Sequence, residues 1–265
     1  MFDSGLGGLT VASAIMRRLP NESIIYFGDT ARLPYGPKGA ETIERYSREI
    51  ASYLRDEGVK ALVVACNTAT AHALPGLRAE FDFPVIGVIE PGARTAVRAT
   101  RNGRVGIIAT AGTVTSRAYE RALHDAAAEI HITARACPLF VPLVEEGWID
   151  TDATRLVARE YLEPFIRNRA GNPEAPDTIV LGCTHYPLLK RVIGQTVGRG
   201  IRLVDSAAET AAELARVLEE KNLLAEKSNE ARYRFIVSDS PAQFLRVGER
   251  FLGAPIDRVE LHPLG

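Results

Sequence analysis

Leu62-Val63-Val64-Ala65-Cys66-Asn67-Thr68 has a close counterpart later in the chain, Ile179-Val180-Leu181-Gly182-Cys183-Thr184-His185. Each stretch is an apolar run of strand length that ends at a small residue and continues into a cysteine followed by hydrogen-bonding side chains. This pattern is typical of a buried parallel strand and the residues at its carboxyl end. Open α/β sheets bind their ligands at that edge. The two stretches therefore predict two thiols that face one pocket.

The rest of the chain alternates predicted strands with predicted helices. The pattern predicts strands over 23–27 and 104–109, for example, and helices over 9–19 and 41–56. Such alternation favours a parallel sheet with helices on both faces. Because Arg104–Thr115 resembles the opening of the chain, with a strand that meets small and hydroxyl residues before a helix, we expect this architecture to be built twice.

Several local expectations depend on proline, glycine and short apolar runs. We expect Pro91-Gly92 to interrupt the chain before a helix over 93–99, and the prolines within 137–143 to make that segment irregular. The periodicity predicts helices over 116–128, 152–167 and 188–197, with a polar loop over 169–176. The last predicted elements are a helix, a strand and a helix, ending at Leu252.

The composition is that of an ordinary globular protein. Of 265 residues, 46% are hydrophobic and 25% charged, and the formal net charge of −1 gives no general reason to bind nucleic acid or anionic lipid. No basic and apolar leader opens the chain, and no window approaches the length of a membrane span, about 20 apolar residues. We expect a cytoplasmic protein with no membrane association, whose three widely spaced cysteines are reduced thiols.

The two cysteine motifs suit thiolate chemistry. A cysteine in the first turn of a helix has a lowered pKa because backbone N–H groups favour the anion, and we expect helices to begin at both Cys66 and Cys183. Neutral groups on Asn67, Thr68 and Thr184 would bind an anion. Asp3 and His185 could hold or transfer protons near the two sulfurs.

Other candidate groups carry simpler interpretations. Cys137 lies in an apolar, proline-containing segment and is expected to fill the core. His72 and His124 have no second ligand at i+4, so no metal is predicted, and no lysine suggests a pyridoxal cofactor. The opening Asp3-Ser4-Gly5-Leu6-Gly7-Gly8 fits neither of the nucleotide-binding patterns GxGxxG and GxxxxGK(S/T). Its glycines either permit a tight turn or bring Asp3 and Ser4 to the same rim as Cys66.

Five motifs together resemble the bacterial glutamate racemases over practically the whole chain. They are, in order, Asp3-Ser4-Gly5, Pro34-Tyr35-Gly36, Ala65-Cys66-Asn67-Thr68, Gly87-Val88-Ile89-Glu90-Pro91 and Leu181-Gly182-Cys183-Thr184-His185-Tyr186-Pro187. The resemblance implies two similar doubly wound parallel-sheet α/β domains related by a pseudo-two-fold, with the active site in the cleft between them. We place the first domain at 1–91 plus 204–265, with Asp3 and Cys66, and the second at 92–203, with Cys183 and His185.

The resemblance also implies a reaction and its residues. Cofactor-independent racemisation of glutamate, which supplies D-glutamate for peptidoglycan, would use Cys66 to deprotonate D-glutamate and Cys183 to deprotonate L-glutamate. Asp3 would assist Cys66 and His185 would assist Cys183, with Glu145 as a further acidic residue, or else Glu146. The implied substrate contacts are Asp3, Ser4, Tyr35, Gly36, Asn67, Thr68, Thr110, Thr113, Thr184 and His185.

The sequence alone leaves several points open. Family members are often homodimers, but the sequence reveals neither oligomeric state nor regulation by a cell-wall precursor. They usually have a longer strand before Asp-Ser-Gly than Met1-Phe2, which leaves open whether the native chain starts upstream. An aspartate racemase is a rival, although Glu is typical there at the position of His185. The sequence also leaves open a Cys-His hydrolase and a non-catalytic binding protein on the same fold.

Overall fold

The computed structural model describes residues 1–166, 175–228 and 230–264. The chain divides into two compact units, one formed by Met1–Val88 and Ala207–Gly265, the other by Ile89–Ser206. The boundaries expected from the sequence, 91/92 and 203/204, lie three residues from these divisions. The predicted loop over 169–176 and the predicted end of the helix at residue 167 fall largely outside the described residues.

The elements follow one another in the alternating order that the sequence predicts. The strands are β1 (Phe2–Asp3), β2 (Ile24–Gly28), β3 (Leu62–Val64), β4 (Val85–Gly87), β5 (Arg104–Ala109), β6 (His131–Ala136), β7 (Thr178–Gly182), β8 (Arg202–Val204), β9 (Tyr233–Val237) and β10 (Val259–Leu261). The helices are α1 (Leu9–Arg18), α2 (Ala40–Asp56), α3 (Asn67–Glu80), α4 (Ile89–Ala99), α5 (Ala111–Thr115), α6 (Ala118–Ala126), α7 (Phe140–Glu145), α8 (Asp152–Ile166), α9 (Lys190–Val197), α10 (Ala207–Glu220) and α11 (Pro241–Leu252). None of the described helices combines the length and the apolar character needed to cross a bilayer.

The first unit contains a six-stranded sheet in the order β10-β9-β2-β1-β3-β4, and its strand pairings are parallel. From β1 the chain passes to β2 on one side, and it then returns to β3 on the other side. Strand order therefore reverses between β1 and β3. In an open α/β sheet such a reversal leaves a crevice at the carboxyl ends of the strands.

The second unit contains a four-stranded parallel sheet in the order β6-β5-β7-β8. Here the chain passes from β5 to β6 and then to β7 on the other side of β5, so the order reverses between β5 and β7. The α/β class with two parallel sheets, predicted from the alternating pattern, is thus confirmed. Each sheet has one reversal point, and each reversal point lies beside a strand that ends in a cysteine motif.

Helices cover both faces of the first sheet. Phe2, Phe27 and Val64 belong to one apolar cluster with residues of α2 and α3. Because side chains alternate along a strand, Tyr26 points to the opposite face, where its ring centroid lies 5.9 Å from that of Phe244 on α11. Helices α10 and α11 both pack against α1. The sheet is therefore buried on both faces, which explains its near-continuous apolar strands.

In the second unit the central strands are the most deeply buried elements. All residues of β7 are buried, whereas β6, at the edge, alternates between exposed and half-buried positions. Helix α4 packs against α6, and α8 packs against α9. The ring of Phe140 makes an edge-to-face contact with Tyr186, with ring centroids 5.2 Å apart. The apolar run of the second cysteine motif is thus a core strand, as the sequence predicts.

Two proline-based expectations are wrong. Pro91 does not separate a strand from a later helix, because α4 already begins at Ile89 and includes it. The segment 137–143 is not irregular throughout, since α7 begins at Phe140 and contains Pro142. Both prolines occupy the first turn of a helix, where the N–H group would have no intrahelical partner in any case.

Two expected helices differ in extent from the observed ones, and one strand was not expected. The helix expected over 116–128 is observed as the shorter α6, and the separate helix α5 before it was not predicted; Arg117 divides the two, because its φ of 56° is incompatible with a continuous right-handed helix. The helix expected over 188–197 starts as a 3-10 helix, Tyr186–Leu189, and becomes α-helical at Lys190. The strand β10 was not predicted. It is only three residues long and its burial is partial, so its hydrophobic signal is weak.

The contact between α8 and β5 gives a test of the second core. A Cβ atom added at Gly106 would lie 2.8 Å from the Phe165 ring and 2.9 Å from Ile179. Gly106→Ala should therefore destabilise the protein by about 1–3 kcal/mol through overpacking. Urea unfolding followed by circular dichroism measures the effect.

Gly194 is the matched control, because it lies inside α9 and an added Cβ would make only an ordinary contact at 3.7 Å with Leu203. Gly194→Ala should stabilise the protein by roughly 0.5–1 kcal/mol, since glycine is a poor helix former. A Gly106→Ala variant as stable as the native protein would contradict the packing described for this core.

Candidate active site

Cys66 lies at the reversal point of the first sheet, two residues beyond the end of β3. It is the N-cap of α3, and its Sγ accepts a hydrogen bond from the Ala69 backbone N–H at 3.4 Å. Its Sγ also lies 3.7 Å from Ser4 Oγ, beyond the end of the neighbouring strand β1. The side chain is 5% exposed. The expected position of Cys66 at the start of a helix, and the expected proximity of the opening loop, are both observed.

Asp3 ends β1 and is fully buried. Its Oδ2 accepts a hydrogen bond from the Gly5 backbone N–H at 3.0 Å, which closes the turn into α1. Gly8 is required by close packing, because an added Cβ would lie 2.6 Å from Asp3 Cβ and 2.9 Å from Ala65 Cβ. Gly8 therefore allows the turn to approach the cysteine strand closely, and the turn places Ser4 next to Cys66.

Tyr26 contacts this turn and is not among the site residues predicted from the sequence. Its hydroxyl donates a hydrogen bond to the Gly5 carbonyl at 2.9 Å. Burial raises the pKa of Tyr26 well above its usual value, and the nearby charges of Asp3 and Cys66 raise it further. The phenol consequently stays protonated, as this bond requires. The position of Tyr26 in an alternating strand does not by itself reveal that its hydroxyl holds this turn.

The remaining predicted residues of the first unit lie on the same edge. Asn67 and Thr68 form the first turn of α3 and are 3% and 2% exposed. Tyr35 is 1% exposed, and its neighbour Gly36 is half-buried. Burial is the largest cause that raises the pKa of Tyr35, and the charge of Cys66 is among the further causes. The loop with Tyr35 is thus within electrostatic reach of the first thiol.

Cys183 lies at the reversal point of the second sheet, directly beyond β7. Ala109 of β5 pairs with Gly182 of β7, so the residues that follow them, Thr110 and Cys183, leave the sheet at the same level. Thr110 is the N-cap of α5, and its Oγ1 lies 3.0 Å from Thr113 Oγ1. These predicted hydroxyl groups thus share one edge with the second thiol.

The helix expected to begin at Cys183 does not begin there. The chain first forms the short 3-10 helix, and Cys183 lies three residues before its first residue. The neighbour of its sulfur is instead His185, whose Nδ1 lies 3.9 Å from Sγ. Thr184 Oγ1 lies 3.5 Å from the same nitrogen. The two cysteines therefore have different surroundings: a helix N-terminus for one and an imidazole for the other.

Glu145 completes this second cluster. Its Oε1 lies 3.0 Å from Nε2 of His185, and the histidine side chain is 5% exposed. Glu145 is the last residue of α7, whereas Glu146 follows it and is exposed. Of the two acidic residues that the sequence left open, Glu145 is the one in contact with His185. The result is a chain of contacts from Cys183 through His185 to Glu145.

The charge of His185 follows from these contacts. Burial alone would lower its pKa, but the hydrogen bonds to Cys183 and Glu145, and the charges of both groups, raise the pKa to about 10. The imidazole is therefore protonated at neutral pH and donates to its partners from both nitrogens. These contacts place a positive charge beside the Cys183 sulfur.

Cys137 lacks such surroundings. It is fully buried, and its thiol lies 3.7 Å from the Arg135 carbonyl oxygen. Burial raises its pKa to about 12, with Arg135 opposing and Cys183 adding to the shift. It stays a thiol at neutral pH. Within the described ranges, no group of three or more His, Cys, Asp or Glu side chains lies together in the manner of a metal site.

The ion pair between His185 and Glu145 predicts a pH effect. Glu145→Gln should lower the pKa of His185 from about 10, because it removes one of the two groups that raise it. NMR titration of the imidazole measures this shift. The contacts of protonated His185 with Cys183 and Glu145 together should contribute their full stability below the usual histidine pKa of 6.5, and this contribution should be lost as the pH rises through about 10.

Glu146→Gln is the control. It makes the same substitution at the next residue, which is exposed. It should leave the pKa of His185 nearly unchanged. Equal shifts in the two variants, or no shift in Glu145→Gln, would contradict the assigned contact.

Comparison with known proteins identifies the family of this chain. Residues 9–214 match the family model described as Asp/Glu/hydantoin racemase. The glutamate racemase of Geobacter metallireducens is 55% identical over 98% of this chain and 94% of that protein. A glutamate racemase isoform of Bacillus anthracis has a similar crystal structure, with a TM-score of 0.92 and 41% identity over 99% of this chain and 96% of that one.

A second solved structure was determined with a ligand. The glutamate racemase of Francisella tularensis, in complex with D-glutamate, has a TM-score of 0.90 and 38% identity over 99% of this chain and 96% of that one. These similarities cover both units, both reversal points and both cysteine motifs. The chain belongs to the Asp/Glu/hydantoin racemase family, where its relatives are the bacterial glutamate racemases.

Proposed function

We propose that this protein interconverts L-glutamate and D-glutamate without a cofactor, with Cys66 and Cys183 as the two bases. The observation that carries the proposal is the placement of one buried cysteine at the reversal point of each sheet, each with its own group to stabilise a thiolate. Relatives at 50–55% identity are glutamate racemases. The product D-glutamate would serve peptidoglycan synthesis.

Inversion of a stereocentre explains why two bases are needed. One base must remove the α-proton from one face of Cα, and an acid must return a proton to the opposite face. In the direction from D- to L-glutamate, the Cys66 thiolate takes the proton and the Cys183 thiol donates one. One C–H bond is broken and one is formed. Cys66 ends as the thiol and Cys183 as the thiolate. In the reverse direction the roles are exchanged.

The Cys66 side uses neutral hydrogen bonds. The thiolate would accept from the Ala69 N–H at the positive end of α3, as the sulfur does already. Ser4 lies within reach of the same sulfur, and the buried carboxylate of its neighbour Asp3 is held by the turn into α1. Asp3 is proposed to assist proton transfer on this side.

The Cys183 side uses a charge. The protonated His185 stands beside the sulfur and lowers the cost of the thiolate that remains after Cys183 gives up its proton. Glu145 keeps the imidazole charged and oriented from its other nitrogen. His185 and Glu145 are therefore proposed as catalytic and positioning groups, respectively.

Substrate recognition is proposed to depend mostly on neutral groups. Backbone N–H groups at the first turn of α3, with Asn67 and Thr68, are suited to a carboxylate. The proposed contacts on the two edges are Asp3, Ser4, Tyr35, Gly36, Asn67, Thr68, Thr110, Thr113, Thr184 and His185. Such preorganised donors would also stabilise the negative charge that develops when Cα is deprotonated.

Two further expectations follow from the family. We place the protein in the cytoplasm, where its three free cysteines would stay reduced. A homodimer is proposed on the family resemblance alone, and light scattering after size-exclusion chromatography tests it.

The activity has a direct test. Purified protein without added cofactor should convert either glutamate enantiomer into the other and incorporate solvent deuterium at Cα. Chiral chromatography and mass spectrometry measure the two effects. No exchange with either enantiomer would contradict the proposed function, and activity on aspartate alone would favour the rival substrate.

The two bases can be tested separately. Cys66→Ser and Cys183→Ser should each lower kcat for racemisation by roughly 100- to 10,000-fold, because a hydroxyl is a much weaker acid than a thiol. Cys137→Ser is the matched control, since this third buried cysteine lies outside both proposed proton paths. Full activity in either of the first two variants would exclude that cysteine as a base.

A further inference from the structure

Asp29 is a buried carboxylate that belongs to none of the motifs recognised in the sequence. It follows β2 directly and is fully buried. Its backbone N–H donates to the Asp3 carbonyl at 3.1 Å, so it lies next to the end of β1. Burial of a charged carboxylate is costly unless hydrogen bonds and opposite charges compensate. Its contacts therefore indicate what the residue holds in place.

The carboxylate of Asp29 accepts three side-chain hydrogen bonds. Oδ2 accepts from the Tyr35 hydroxyl at 2.5 Å and from Arg32 Nε at 2.8 Å. Oδ1 accepts from Ser238 Oγ, beyond the end of β9, at 2.8 Å. One side chain thus connects the end of strand β9 to two points of the loop 29–39. Hydrogen bonds to a charged acceptor are the stronger kind.

Arg32 is itself held from several sides. It also bonds Glu49 on α2, and its guanidinium carbon lies 4.0 Å from the ring centroid of Tyr46. Its Nη2 is buried and has no hydrogen-bond partner among the described residues. The guanidinium therefore depends on the carboxylates of Asp29 and Glu49, and loss of the Asp29 charge would weaken the packing of the loop.

The loop held in this way carries Tyr35 and Gly36, which are proposed substrate contacts. Tyr35 is buried, and the charge of Cys66 contributes to the rise of its pKa, so the loop lies on the Cys66 side of the site. The hydroxyl of Tyr35 is used by Asp29 and is not directed to substrate by this bond. Its position, and with it that of the Gly36 backbone, depends on Asp29.

We infer that Asp29 is a positioning residue for glutamate binding, which fixes the Tyr35-Gly36 segment next to Cys66 through the Tyr35 hydroxyl. The inference rests on the proposed function. Asp29 acts through Tyr35 and not on the reacting atoms. Since the segment contacts substrate before and during the reaction, the loss of this hold affects KM more than kcat.

The experiment compares Asp29→Asn with Tyr35→Phe in the full chain. Asp29→Asn weakens the acceptor of the hydrogen bond between the two residues, and Tyr35→Phe removes its donor. Because Tyr35→Phe keeps the aromatic ring, folding should be retained. Each should raise KM for both glutamate enantiomers by roughly 10-fold, with a smaller change in kcat. The KM rise in the double variant should be smaller than the product of the two single effects, because both remove one shared interaction.

Asp177 provides the matched control. It accepts hydrogen bonds from Thr100 Oγ1 at 2.7 Å and from the Arg101 and Asn102 N–H groups at 2.7 and 3.1 Å. It precedes β7, at the opposite end of that strand from Cys183. Asp177→Asn should lower the melting temperature and leave KM unchanged, which separates positioning from general stability.

The outcomes are distinct. A native protein that does not racemise glutamate would contradict the proposed function. An active native protein whose KM stays within about twofold in Asp29→Asn and Tyr35→Phe would overturn the role of Asp29 alone. Multiplicative KM effects in the double variant, or an equal KM rise in Asp177→Asn, would also overturn it.

Discussion

Strand order reverses once in each sheet, and this constraint decides where the side chains that we propose to react lie. Between β1 and β3, and again between β5 and β7, the helices that follow the neighbouring strands leave in opposite directions. The residues just beyond these strands therefore line a crevice that no connection crosses. Ser4 and Cys66 meet at the first reversal, and Thr110 and Cys183 leave the sheet at the second. The apolar strands behind them supply the rigid support that a proton-transfer site needs.

The same position in two sheets produces two different thiol environments. Cys66 caps a helix and is stabilised by a backbone N–H group, while Cys183 precedes a 3-10 helix and lies beside a protonated imidazole. A helix dipole and a backbone hydrogen bond act on the Cys66 sulfur, and the charge of His185 acts on the Cys183 sulfur. In the proposed reaction each sulfur alternates between thiol and thiolate, and a different neighbour contacts each sulfur.

The sequence predicted the sheet class and both cysteine strands because buried parallel strands leave continuous apolar runs that end in recognisable residues. The predictions at Pro91 and Pro142 were wrong, since proline in a first helical turn looks like a break until the helix start is known. The strand β10 was missed because a short, half-exposed strand has little hydrophobic signal. Asp29 and the choice of Glu145 over Glu146 depend on contacts between distant segments, which no local pattern records.

We propose that Cys66 and Cys183 act on opposite faces of the substrate α-carbon. A crystal structure of the protein with bound glutamate would show where the two sulfurs lie relative to Cα. We expect one Sγ atom on each side of Cα, with each Sγ within about 3.5 Å of Cα. Both sulfurs on the same side, or one sulfur far from Cα, would contradict it.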